Sequence, residues 1–361
     1  MITARADHGG GPRHIELLLR DLPSWITTYV ACPRDEPYWG RFDELVNGRL
    51  FEIPHRRFSG IHAFRLATFV RENGIQIVHS HGKGAGVYGR AASALTKLPA
   101  VHTPHGIHVG TYGPVLRSLY ALYENSTSRW IDHLIHVSDE EQILARDLRL
   151  WATTAFSVIT NGVGCYEASA GNQMRADARL HLGISDSASV VATISRFDYQ
   201  KNMREALEVA KLLPDTLFLW IGCGEEEIPL KEQASREGVS NVRFLGQLEA
   251  PVEAIAAADI YFSTSRWEGL PLSVLEAMSL GIPSVLSNVV GHKDLVERHG
   301  IGLLYPLGDV AAATDCITRL IRESEFRTIL SHQARAAQIR TFSSREAARR
   351  TASVYASLVR K

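Results

Sequence analysis

Short apolar runs alternate with stretches of helical periodicity along almost the entire chain, and this alternation constrains the fold more than any single motif. Strands separated by helices pair in parallel and build a doubly wound sheet. In the first half the predicted strands are Met1–Arg5, Trp25–Cys32, Arg49–Ile53, Ile75–Ser80, Ala100–Thr103, Leu134–Val137 and Phe156–Ile159. Helical patterns at Pro12–Asp21, His62–Glu72, Gly86–Thr96, Pro114–Arg129 and Glu140–Leu148 lie between most of them. Asn161-Gly-Val-Gly breaks the pattern, and a polar, Gly- and Ala-rich stretch to about Gly183 reads as an interdomain linker with one short helix. The alternation restarts at Val190–Ile194 and runs on to Ser284–Leu286, with a helical pattern at Ser343–Val359 closing the chain. Two complete αβ sets predict two Rossmann-like domains, residues 1–165 and 166–342, followed by a helical tail, 343–361.

The 361 residues are enough for two domains of ordinary size, and the 45% hydrophobic and 22% charged shares are those of a globular chain. Formal net charge is zero. That argues against nucleic acid as a main partner, because binding a phosphate backbone needs a basic surface. Cys32, Cys165, Cys223 and Cys316 are scattered, which fits a reducing compartment better than a disulfide framework. No apolar run is long enough to span a bilayer, and the N-terminus does not read as a signal peptide. The expectation is a cytoplasmic protein, with peripheral contact at the inner face of a membrane left open.

Ligands of open α/β sheets bind at the carboxyl ends of the strands, so the informative residues are those just after each strand. His8-Gly9-Gly10-Gly11 follows the first strand and allows backbone to approach a phosphate, or else forms a plain turn into the helix. Ser195-Arg196 ends the first strand of the second half and Lys201 opens the next helix. Two cations there suit a diphosphate, although surface cations are commoner in general. Gly222-Cys-Gly224 follows the next strand, a weak nucleotide signal that lacks the full dinucleotide fingerprint. Glu268 and Glu276 lie either side of Gly269-Leu270-Pro271-Leu272, where a helix begins. A helix N-terminus takes anions. Continuous helix would part the two carboxylates by about 12 Å, wider than the roughly 5–9.5 Å of a glycosidase pair. Glu268 is therefore expected in the bend and Glu276 a turn inside the helix.

Histidines gather in the first half: His79 and His81, then His102, His105 and His108. A metal site and a polar pocket wall are both readings of that spacing, and no metal is expected, because no carboxylate or cysteine sits at ligand spacing beside them. His105, in a Pro-His-Gly bend, is the best placed to reach a substrate, whereas His79 and His102 read as core residues. Pro114–Trp130 carries Leu116, Leu119, Tyr120 and Tyr123 with Arg117 and Arg129, a pattern of either plain core or a helix that docks on a bilayer or covers an acceptor cleft.

Taken in order, these pieces resemble the retaining glycosyltransferases of family four, which have the GT-B fold. Glu268 and Glu276 in Ser-x-x-Glu-Gly-x-x-x-x-x-x-Glu-Ala-Met resemble the family's E-x7-E motif, and Gly9-Gly10, His79-x-His81, His105-Gly106, Asn161-Gly162, Arg196…Lys201-Asn202, Gly222-x-Gly224 and Gly281-x-Pro283 follow in sequence. The resemblance implies two Rossmann-like domains facing each other across a cleft, with the C-terminal helix crossing back to the first. It further implies that Arg196 and Lys201 hold the donor diphosphate, and that amides around Leu270 and Leu272 bind phosphate. Glu276 would take the ribose, Glu268 the transferred sugar, Gly9 and Gly10 would let a loop close over the diphosphate, Gly222 would line the donor site, and His105 would lie by the reacting sugar. The implied reaction is transfer from a nucleotide sugar to a carbohydrate or lipid-linked acceptor, with no cofactor and no metal. One departure stands out: the family's Gly-Phe-Gly after the first Glu is Gly269-Leu270-Pro271 here, and Pro271 has no amide to donate. A sugar-nucleotide 2-epimerase, a phosphorylase and a non-catalytic nucleotide-sugar module remain alternatives on the same fold.

Overall fold

The computed structural model describes residues 1–107 and 112–359. The chain divides into two compact units, Met1–Gly162 joined by the segment from Ser344 onward, and Val163–Ser343. The first unit contains β1 (Ile2–Thr3), α1 (Gly10–Asp21), β2 (Val30–Cys32), α2 (Tyr38–Val46), β3 (Leu50–Glu52), α3 (Gly60–Glu72), β4 (Val78–His81), α4 (Lys83–Thr96), β5 (Ala100–Thr103), α5 (Pro114–Thr127), β6 (His133–His136), α6 (Asp139–Asp147) and β7 (Ala155–Val158). Its sheet has the order β3-β2-β1-β4-β5-β6-β7, all neighbours parallel.

The second unit contains α7 (Ala168–His181), β8 (Ser189–Ile194), α8 (Met203–Leu212), β9 (Thr216–Ile221), α9 (Glu227–Arg236), β10 (Val242–Gly246), α10 (Pro251–Ile255), β11 (Ile260–Ser263), α11 (Leu272–Ser279), β12 (Ser284–Ser287), α12 (His292–His299), β13 (Gly302–Tyr305), α13 (Val310–Arg322) and α14 (Ser324–Thr341). Its sheet runs β10-β9-β8-β11-β12-β13, again parallel. The last helix, α15 (Ser344–Val359), packs against α1 and belongs to the first unit.

Burial explains why these strands read so clearly. Val190, Val191 and Ala192 of β8, Phe218, Leu219 and Trp220 of β9, and Ile260 and Phe262 of β11 are buried, as strands covered on both faces must be. Apolar side chains of α8 and α13, among them Met203, Leu207, Ile317 and Leu320, close the second core around Trp220 and Tyr305. In the first unit α15 supplies Ala347, Val354 and Tyr355 to a cluster with Val101 of β5 and Ile135 of β6.

Several expectations need correction. The first strand shrinks to Ile2–Thr3, and the second to Val30–Cys32, because Trp25 is exposed rather than packed. Helix α1 begins at Gly10, with Gly9 as its N-cap, so Gly10 lies in the first helical turn and not in a loop. Most of the stretch read as linker is α7, fourteen residues long. Arg179 from α7 is buried, donating to the Ala257 carbonyl at 3.0 Å and pairing with Asp259 at 3.1 Å.

Candidate functional site

In the second unit the strand order reverses between β8 and β11, so the loops after these two strands flank the crevice where such sheets take ligands. The loops are stitched together. The Arg266 amide donates to the Gln200 carbonyl at 2.8 Å, and the Gln200 side chain donates back to the Trp267 carbonyl at 3.0 Å. The Thr264 hydroxyl donates to the carbonyls of Lys201 and Asn202 at 2.8 and 3.0 Å. Lys201 sits in a turn just ahead of α8, closed by its amide on the Asp198 carbonyl at 3.1 Å.

This stitching brings two of the candidate residues into contact: Lys201 Nζ lies 2.5 Å from Glu268 Oε1. Both side chains are largely enclosed, at 17% and 8% exposure, so little water screens the pair. Burial by itself would push the Glu268 carboxyl up, but Lys201, His292 and the Ser265 hydroxyl together hold it below the usual carboxylate range. Arg196 borders the same turn, with its guanidinium on Asp198 at 3.0 Å and on Gln200 at 3.1 Å. About a third of its side chain stays open to solvent.

Glu268 lies in the bend and Glu276 is the fifth residue of α11, buried at 6% exposure. Pro271 caps the helix, and its carbonyl accepts from the Val274 and Leu275 amides at 3.2 and 3.3 Å. Leu270 and Leu272 flank it and are buried. Gly222 is forced to be glycine: its φ is +130°, and a Cβ there would lie 1.9 Å from the Ser195 carbonyl oxygen. The loop after β9 thus rests directly on the loop that carries Arg196.

Two neighbours escaped the sequence reading. Gly291, with φ +87°, presses on the bend so closely that a Cβ would lie 2.0 Å from the Gly269 oxygen. His292, next to it, is fully buried; its Nδ1 donates to the Ser287 carbonyl at 3.0 Å. Burial drives its pKa down to about 4 although Glu268 pulls the other way. The signal was available, since both residues follow β12, a strand end like the others.

In the first unit the order reverses between β1 and β4. Gly9 and Gly10 lead into α1 there, and α1 presents His14. His81 is the last residue of β4, and His105 occupies the bend after β5 with φ 56°. The bend is tied down by Glu141, which accepts from the Gly106 amide and, at 2.8 Å, from the Val137 amide. His81 Nδ1 lies 3.2 Å from His105 Nε2, and the His14 ring meets His105 edge-on with centroids 4.6 Å apart. Desolvation lowers all three pKa values, that of His14 to about 4, with Asn161 opposing. His79 and His102 are satisfied core residues: His79 bonds Tyr355 Oη at 2.5 Å and Thr103 Oγ1 at 2.8 Å, and His102 bonds the Ser80 hydroxyl at 2.9 Å. His108 lies outside the described residues.

A parallel-sheet unit with an enclosed lysine–glutamate pair at its switch point, beside a helix start, is of the class that takes ligands at that crevice and is suited to an anionic one. Known proteins agree. The profile of the family described as Glycosyltransferase Family 4 matches residues 8–165, and that of Glycosyl transferases group 1 matches residues 175–337. The chain is 28% identical to the UDP-Gal:alpha-D-GlcNAc-diphosphoundecaprenol alpha-1,3-galactosyltransferase of Escherichia coli, over 85% of this chain and 82% of that protein. It is 28% identical to the phosphatidyl-myo-inositol mannosyltransferase of Mycobacterium leprae, over 78% of this chain and 75% of that one. Among solved structures, Anabaena HepE in complex with UDP-glucose superposes with a TM-score of 0.86 at 20% identity, covering 99% of this chain and 98% of the other. The chain belongs with the family-four-like glycosyltransferases of GT-B type.

Proposed function

We propose that this glycosyltransferase is retaining and metal-independent, and that it moves a sugar from a nucleoside diphosphate to a hydroxyl of a carbohydrate or lipid-linked acceptor in polysaccharide or glycolipid synthesis. The observation that carries the reading is the enclosed Lys201–Glu268 pair at the switch point, with the start of α11 beside it. As the glycosidic bond breaks, the departing diphosphate gains negative charge. Lys201, Arg196 and the amides near Leu270 and Leu272 supply fixed positive potential for it, the kind of preorganisation that stabilises a transition state most. Glu268 orients hydroxyls of the transferred sugar, Glu276 takes the ribose, and His105 meets the reacting sugar. Gly9, Gly10 and Gly222 let backbone come close to the donor. No protein base is required if the leaving phosphate oxygen removes the acceptor proton on the same face. The names of relatives that use UDP-galactose or act on lipid-linked acceptors support the choice of substrate classes.

Peripheral membrane contact at the cytoplasmic face is part of this reading. From Ile53 to Tyr123 the sequence holds eight Lys and Arg and one acid, Glu72, in a chain of zero net charge. The same segment exposes Phe58, Ile61 and Phe64 at and before the start of α3, and Val115, Leu116, Leu119 and Leu122 on α5. Basic charge interleaved with exposed apolar side chains suits an anionic bilayer surface. Among the described residues, no helix is long and apolar enough to cross a membrane.

The test of the reaction is incubation with UDP-sugars and lipid-linked or saccharide acceptors, followed by mass spectrometry and NMR of the product. An anomeric configuration equal to that of the donor is the expected result. An inverted product would overturn the retaining mechanism, and conversion of the donor without an acceptor would favour an epimerase.

A further inference from the structure

Three imidazoles meet in the first unit, each from a different strand end or helix: His14, His81 and His105. Each offers a ring nitrogen, and these nitrogens all lie within 4.8 Å of one another. His81 Nδ1 and His105 Nε2 lie 3.2 Å apart. Two imidazole nitrogens on one tetrahedral zinc, with bonds of roughly 2.0–2.1 Å, stand about 3.3–3.4 Å apart. The set as a whole is wider than that, within 4.8 Å, so the half-buried His14 ring on the first helix must move closer to complete it.

The second observation is His81 Nε2. It is buried and has no hydrogen-bond partner among the described residues. Leaving a buried polar atom unpaired costs about 1–3 kcal/mol, so the His81 ring is short of a partner on this edge, while its other nitrogen, Nδ1, is the one that faces His105. His105 adds a further cost, because it holds a left-handed backbone conformation at φ 56° that few residues other than glycine adopt freely. Both residues are nevertheless held firmly. His81 is paired within the sheet to β1 and β5, and Glu141 anchors the bend after His105.

We propose that His14, His81 and His105 form a binding site for one divalent transition-metal ion of the zinc type, with a coordination position left for an exogenous ligand. Three imidazoles with no carboxylate select zinc, cobalt, nickel or copper over magnesium and calcium, which demand oxygen. The neutral imidazole is the form that ligates, so uptake should weaken at acid pH. The site is separate from the diphosphate cradle on the second unit. Where His105 also meets the transferred sugar, as proposed above, the ion competes for that imidazole and inhibits; this consequence alone rests on the transfer reading.

The experiment is a binding measurement on the full chain with no sugar nucleotide present, so its outcome is independent of the reaction. Protein stripped with EDTA and dialysed is titrated with Zn²⁺ by calorimetry and with Co²⁺ by visible absorption. One ion per chain and the intense d–d bands of low-coordinate cobalt are expected. His14→Gln and His81→Gln should each weaken uptake by at least about tenfold, with unchanged far-ultraviolet circular dichroism, whereas Cys165→Ala, which changes an exposed thiol, should not. Wild-type protein that takes up no stoichiometric ion overturns the proposal, as does uptake indifferent to His14→Gln.

Discussion

At the scale of single residues, the contact between Lys201 and Glu268 is the centre of the proposed donor site. Each balances the charge of the other in an enclosed setting, so removing one leaves the other uncompensated. Lys201→Ala or Arg196→Ala should lower turnover by about 10²–10³, the loss typical of one preorganised donor at a developing anion; steady-state rates at saturating donor check this, and near-normal turnover in both variants would remove the mechanism. His292 gives a pH signature. Its pKa in the folded protein is about 4 against an ordinary 6.5, so across that interval the unfolded chain binds the proton and the folded one does not. The stability contributed by neutral His292 is therefore complete above the ordinary value and lost as pH falls toward the lower one. Thermal melts from neutral to acid pH should fall steeply for the wild type and less steeply for His292→Gln.

At the scale of elements, α11 shows what the sequence could and could not reveal. Apolar strands and the Gly-Leu-Pro-Leu bend made the helix start legible, and Glu276 does sit about one turn inside. Glu276→Ala should weaken UDP binding with little change in turnover of bound donor; calorimetry with the free nucleotide reads it, and unchanged affinity would cancel the ribose assignment. Helix α7 was legible only as one short helix within a linker, because it is held by polar anchors instead of an apolar stripe. Arg175 and Arg179 grip Asp259 and the carbonyls at the end of α10, a pattern that periodicity does not register. Helix α2 was missed for the opposite reason, since its stripe of Tyr38, Phe42 and Val46 is only three residues. For α3 and α5, the exposed apolar positions predict binding to vesicles containing phosphatidylglycerol. Leu116→Ser together with Leu119→Ser should reduce co-sedimentation several-fold without altering the fold, since both side chains are exposed. Equal sedimentation would assign that face to another role.

At the scale of the whole molecule, both sheets were readable because doubly covered parallel strands are nearly continuous apolar runs. The histidines were harder. Alternation along β4 placed His79 and His81 on one side, and their rings do meet, tilted by 37° with centroids 4.0 Å apart. It could not tell which had partners; that depended on Tyr355, far along the chain. On the proposal that side chains and amides neutralise the diphosphate, transfer should persist in EDTA, and loss restored by Mg²⁺ would instead favour a bridging ion. The place of α15 has a further consequence. Its Ala347, Val354 and Tyr355 complete the packing of a sheet whose other strands were all made before the second unit began. On the ribosome, the first unit therefore waits, with that flank uncovered, until the second unit and then α15 have emerged. A nascent chain stalled before Ser344 should be a client for chaperones in a way that a chain carrying α15 is not.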